Sequence, residues 1–193
     1  MIGNIFSNRW KTAEKFFQSL ENFSVPPADP IQTLLDREDW PAARRLILRD
    51  LRKTPDSHWL LDRLALTYYE QHRYTRALAL SRRARELAPR CPLVLFNLAG
   101  ALEMTDQPRA AIRIWRGLLR RPLRRLAWGP CGEGLLAARA LRNECRYRIA
   151  KAHFHLGDLP AARLWLEAHL IHRRPGRPCT YPRRDALRLL ARL

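Results

Sequence analysis

Several absences narrow what this 193-residue chain does. It has no run of about 18 apolar residues, so no transmembrane helix is expected. Residues 1–23 mix Asn, Arg, Lys and Glu among their apolar positions and hold no continuous apolar core of a signal peptide, so a cytoplasmic location is expected. Cysteine is scarce: Cys91, Cys131, Cys145 and Cys179 stand far apart in the chain, with no C-x-x-C pair and no zinc-finger spacing. Free thiols follow, with Cys145 on a buried helix face. The Gly-rich stretch 129–134 is not followed by Gly-Lys-Ser/Thr and so is no phosphate loop. Neither a G-x-S-x-G elbow nor a His-Glu-x-x-His pair occurs. These gaps point away from an enzyme and from a cofactor.

Lysine is nearly missing too. Of 36 basic residues only Lys11, Lys15, Lys53 and Lys151 are lysine; the rest are arginine. Against 18 acidic residues the net charge is +18. Residues 1–104 hold 16 basic and 12 acidic side chains (+4), and residues 105–193 hold 20 and 6 (+14). Such a field attracts polyanions and acidic partners. An abundance of Arg, Ala, Leu and Pro, as a GC-rich genome encodes, is an equally good source of the excess.

What the sequence has is a period. At an offset of about 34 residues, Ala43, Ala77 and Ala111 align, as do Leu46, Leu80 and Ile114, and Leu34, Tyr68 and Leu102. Trp40 aligns with Tyr74, Leu61 with Leu95, Leu64 with Leu98 and Ala65 with Ala99. Ala150, Gly157, Leu159 and Ala162 repeat the same internal offsets after an interruption: Ala162 follows Ala111 by one and a half periods. Within a unit the apolar spacing is helical, as in Leu61, Leu64, Ala65 and Tyr68. A polar break, Glu70 to Arg73 in one unit and Gly157-Asp158 in another, divides each unit into two antiparallel helices.

This pattern resembles the tetratricopeptide repeat (TPR) family. The family's places hold Leu61, Leu64, Ala65, Tyr68, Ala77, Ser81 and Pro89 in the second unit. The third unit holds Leu95, Leu98, Ala99, Leu102, Ala111 and Trp115, with Leu123 where Pro is the rule. The first departs at Pro30 and Ile31, and the fourth at His153 and His169. The resemblance covers about 136 residues and implies an all-α, right-handed helical-hairpin solenoid of about four TPR-like repeats with N-terminal and C-terminal flanking helices. The expected parts are an amphipathic helix over 1–23, three repeats over 24–125, an insertion over 126–142 that extends a helix, a fourth repeat over 143–176 and a capping helix over 177–193.

The first segment places Ile2, Ile5, Phe6, Trp10, Ala13, Phe16, Phe17, Leu20 and Phe23 at helical spacing. Packing on the first repeat suits its mixed charge better than lying on a membrane surface. Cys131 stands among arginines before a helix, which would favour a thiolate, although a plain connector explains the loop as well. His153, His169 and His172 are the histidines best spaced to share a zinc ion, but no carboxylate or cysteine completes a standard set, so no metal site is expected.

Solenoids of this kind bind partners along the groove lined by the first helices, and the resemblance therefore implies a non-enzymatic protein-interaction scaffold. The groove positions are Trp59, Asp62, Tyr69 and Glu70, then Phe96, Asn97 and Glu103, then Tyr147, Arg148 and Lys151. Aromatics there offer contact area at little rotamer cost, and Asp62, Glu70 and Glu103 suit a basic peptide. Some family members clamp a chaperone's C-terminal carboxylate. Asn97 and Arg148 match that clamp, but Asp62, Leu66 and Glu144 stand where Lys, Asn and Lys are needed. The alternative is a nucleic-acid or polyanion binder using Arg116, Arg120, Arg121, Arg124 and Arg125, which no RNA-binding motif supports.

Overall fold

The structure, a computed structural model, describes residues 29–173 and 179–193. The expected 1–23 helix lies outside the described residues. Among the described residues ten α-helices follow one another: α1 Pro30–Asp36, α2 Trp40–Leu51, α3 His58–Tyr69, α4 Tyr74–Leu87, α5 Pro92–Glu103, α6 Pro108–Arg120, α7 Leu123–Trp128, α8 Gly134–His155, α9 Leu159–His172 and α10 Arg183–Leu190. The same residues hold no strand.

Local chemistry starts these helices. The side chains of Asp29, Asp39, Ser57 and Asp158 accept hydrogen bonds from the amides of Ile31, Ala42, Leu60 and Ala161, so each satisfies a backbone donor that the helix cannot. Proline stands in the first two positions of α1, α2, α5, α6 and α9, where its missing N–H costs nothing.

The period is also conformational. Glu38, His72 and Asp106 all have φ of 60–61°, and Gly157 has φ 76°, so each hairpin turns on one left-handed residue at the same place. The next residue closes the turn in every case. The amides of Asp39, Arg73, Gln107 and Asp158 donate to the carbonyls of Leu34, Tyr68, Leu102 and His153 at 2.9–3.0 Å. This bond reaches back into the preceding helix and satisfies an orphan carbonyl in the manner of a Schellman cap.

Helices α1–α2, α3–α4, α5–α6 and α8–α9 pair as hairpins, and α2 packs on α3, α4 on α5 and α6 on α8. The alanine columns lie at these seams: Ala43, Ala99, Ala111, Ala150 and Ala162 have no exposed surface, Ala77 has 1% and Ala65 has 2%. A methyl group there lets the backbones approach, and a larger side chain has nowhere to go.

The insertion does not interrupt the stack, because α6 meets α8 as α4 meets α5. Helix α8 has 22 residues against 12 in α3 and in α5. Its extra N-terminal turns support the short α7, which buries Leu126 and Ala127. Periodicity predicts a connector in this region and no separate helix. Pro122, one residue before the place the repeat reserves for proline, caps α7. At the other end α10 packs on α9, burying Ala186 and Leu189.

Candidate functional site

Successive first helices α3, α5 and α8 bring their C-terminal halves to one recess of about 420 Å3. Tyr69, Glu70, His72 and Tyr74 line it from the second hairpin, Glu103, Met104 and Asp106 from the third, and Arg148, Lys151 and His155 from the fourth. Tyr69, Glu70, Glu103, Arg148 and Lys151 are all positions that the sequence assigns to the groove. His72 and Asp106 are not, although both are the recurring turn residues and so necessarily line one edge.

Arg148 is the centre of the floor. Its side chain is 1% exposed and its Nη1 donates to Glu103 Oε2 at 2.8 Å. Both terminal nitrogens lie 3.4 Å from the Tyr69 hydroxyl oxygen. The guanidinium carbon sits 6.0 Å from the Trp115 ring centre and 5.7 Å from that of Tyr181. A buried cation thus has a paired carboxylate, a hydroxyl and two aromatic faces, the compensation a desolvated charge requires. Tyr181, from the segment before α10, has no place in the repeat pattern and reaches the floor from a distant part of the chain.

The rim is electrically different. Burial pushes the Glu70 carboxyl up to about 7, with Glu38 adding to the shift and Arg148 opposing it. Burial also lowers the Lys151 ammonium below the ordinary lysine range, with Glu103 opposing. Glu103 and Arg148 neutralise each other, which leaves Glu70 and Asp106 as the acidic side and Lys151 as the basic side of the recess. Glu70 Oε1 and Glu103 Oε1 have no hydrogen-bond partner among the described residues.

Other expected groove residues serve the fold. Phe96 is 2% exposed and packs 6.4 Å from the Trp115 ring, and Tyr147 stacks on Tyr181 at 4.1 Å. Neither presents an open aromatic face, which corrects their expected role as surface anchors. Helical periodicity marks a face, and it does not distinguish a lined groove from one filled by a neighbouring segment. Asn97 Nδ2 donates to Asp62 Oδ2 at 2.8 Å, and Trp59 lies half-buried with the Arg63 guanidinium 5.2 Å from its ring centre. Glu144 Oε1 accepts from the Thr180 hydroxyl at 2.7 Å. Asn97 and Arg148, the two matches to the carboxylate clamp, are therefore both engaged with carboxylates of this chain.

Of the arginine cluster, Arg116, Arg120, Arg124 and Arg125 are exposed. Arg121 donates to the Arg90 carbonyl at 2.8 Å, and Arg90, Arg121 and Arg125 border a second recess with Pro130. The three histidines weighed for a metal go separate ways. His153 Nδ1 meets Asp158 Oδ2 at 3.0 Å, His169 Nδ1 donates to the Asn143 carbonyl at 3.1 Å, and His172 Nδ1 donates to the Ala168 carbonyl at 2.8 Å.

No family model and no curated protein matches the sequence. The fold does have a counterpart. The crystal structure of MamA, a TPR-like helical protein, superposes with a TM-score of 0.58 over 86% of this chain and 93% of that one, at 16% identity. The chain thus has a TPR-like solenoid fold. At that identity the likeness speaks for the architecture alone.

Proposed function

We propose that the protein is a non-enzymatic scaffold of the TPR type that holds a peptide or an extended partner segment across α3, α5 and α8. The observation that carries this reading is the recess itself. Three successive first helices share it, its floor is held by a buried ion pair, and carboxylate oxygens without hydrogen-bond partners stand beside an ammonium group. Its polarity suits a partner with Lys or Arg toward Glu70 and Asp106 and an acidic group toward Lys151. Tyr69 supplies the aromatic wall. An Arg-rich, salt-dependent polyanion surface at Arg116, Arg120, Arg121, Arg124 and Arg125 is the second reading, favoured by the exposure of four of the five.

The test is selection of binders from a random-peptide display library on the full chain, followed by calorimetric titration. Selected peptides should carry a basic residue. Their affinity should rise from pH 6 to pH 8, because Glu70 gains its negative charge as pH passes about 7. Glu70→Gln should flatten that dependence and Lys151→Glu should change the preferred sequence. Peptides without charge preference, or affinities indifferent to all three of Glu70→Gln, Lys151→Glu and Tyr69→Ala, would refute the site.

A further inference from the structure

Three nitrogen and sulfur donors that no sequence spacing connects meet at the edge of the stack. His58 opens α3, Cys91 is the N-cap of α5, and Cys131 lies in the loop before α8. Their ligand atoms all lie within 4.8 Å of one another, with His58 Nε2 3.3 Å from Cys131 Sγ. A tetrahedral zinc ion, with Zn–S near 2.3 Å and Zn–N near 2.0–2.1 Å, separates such donors by about 3.6–3.8 Å. One ion fits between them if the side chains shift by about an ångström or less.

The loop is shaped to deliver Cys131 to this point. Cys131 holds φ 59°, a left-handed conformation that a side chain rarely adopts. It stands between two glycines that no other residue replaces without displacement: a Cβ on Gly129 would lie 2.4 Å from the Arg125 carbonyl oxygen, and one on Gly132 would lie 2.5 Å from that of Ala127. The amide of Gly132 closes the loop on the Gly129 carbonyl at 2.9 Å.

Donor chemistry and charge select the ion. Sulfur and imidazole suit zinc and disfavour magnesium or calcium, which require oxygen. Two thiolates with a neutral imidazole cancel the charge of a divalent ion, which matters beside Arg90 and Arg121. Cys91 is buried and Cys131 exposed, so the site has an anchored ligand inside and an approach from solvent.

We propose that His58, Cys91 and Cys131 bind one zinc ion, leaving the fourth tetrahedral position to water or an external donor. Binding converts both thiols to thiolates, their two protons pass to the solvent, and no electron is transferred. The ion ties the starts of α3 and α5 to the inserted loop, so it fixes the insertion against the regular repeats. It also orders the adjoining recess of Arg90, Arg121 and Arg125.

The experiment uses the full chain, reduced and stripped with a chelator. Zinc is titrated in competition with a chromophoric chelator, and cobalt(II) reports on sulfur ligation through thiolate charge-transfer absorption. The expected result is one ion per chain, a thiolate band, and a thermal midpoint that rises with zinc. Cys131→Ser, at an exposed position, should keep the helical circular dichroism and weaken zinc binding by more than the roughly 10–100-fold that an outer-shell change costs. His58→Ala should do the same, while His172→Ala should leave affinity unchanged. The site is overturned if the reduced wild type retains no zinc, if Cys131→Ser binds as well as wild type, or if cobalt shows no thiolate band. A Cys91–Cys131 disulfide in air-oxidised protein, coupled with no zinc uptake by the reduced form, would replace the metal site with a redox pair.

Discussion

The first three hairpins and the fourth are built on one plan but held by different means. In α1–α6 the rules are local and recur with the repeat period: a left-handed turn residue and a buried alanine. In α7–α10 the same plan survives in Gly157 and Ala162. There it is overlaid by the C-terminal segment, with Tyr181 on Tyr147 and Thr180 on Glu144, and by a polar contact inside the hairpin, His169 on Asn143. Arg148 joins the two regions, because its partners Tyr69 and Glu103 come from regular hairpins and Tyr181 from the C-terminal segment. Polar side chains are buried in both regions (Asp62, Arg63, Thr67 and Ser81 in the second hairpin, Asn143, Glu144, Arg148 and His169 in the fourth), and the fourth differs in being covered by the C-terminal segment.

Breaking that junction should have the largest effect. Arg148→Met leaves Glu103 with a buried, uncompensated carboxylate, and unfolding in urea should show a loss of about 3–5 kcal/mol. Adding Glu103→Gln should recover much of the loss, since the buried charge then disappears. If the double variant is no better than the single one, the ion pair is not what couples the two regions.

Acid should separate the regions next. Burial lowers His169 to about 4, with Arg173 and Arg146 adding to the shift and the Asn143 carbonyl opposing it. A depressed histidine must stay neutral to remain folded. Its contribution is complete above the unfolded value of about 6.5 and is lost as pH falls toward 4, at most about 3 kcal/mol. Hydrogen exchange at pH 4.5 should therefore open α8–α9 before α3–α4, and His169→Gln should remove that difference. Equal protection in both hairpins would show that His169 does not set the acid limit.

The seams offer a milder test. Ala77→Phe should overpack the second hairpin and cost roughly 1–3 kcal/mol, read from thermal melting, and Ala162→Phe should cost a similar amount in the fourth. An unchanged melting curve for Ala77→Phe would reject the repeat register. A smaller cost for Ala162→Phe would mean that the fourth hairpin yields more readily than the regular ones.

The smallest effects concern the turns, and their sign should differ between regions. Asp106 has φ 60° and Gly157 has φ 76° with open space around its Cα. Asp106→Gly relieves the left-handed backbone and should stabilise by about 0.5–1 kcal/mol, whereas Gly157→Ala should destabilise by about 1 kcal/mol. Denaturant midpoints measured on both variants would decide whether the turns are equivalent.

Periodicity made most of the fold legible, because turns and small-residue seams act over a few residues and therefore leave a mark in the sequence at fixed spacing. That the first helices line one groove is implied by the resemblance to the TPR family, not by the spacing itself. The tertiary structure alone decided which groove residues are open. Phe96 and Tyr147 share a groove face with Tyr69 and Lys151, yet Trp115 and Tyr181 cover them. It also decided that Arg148 is a buried strut with Glu103 as its partner. Likewise His58, Cys91 and Cys131 carry no motif, since their meeting depends on where three separate elements begin. Local interactions repeat with the chain, whereas burial and ligand clusters are properties of neighbours that packing chooses, and spacing along the sequence does not record them.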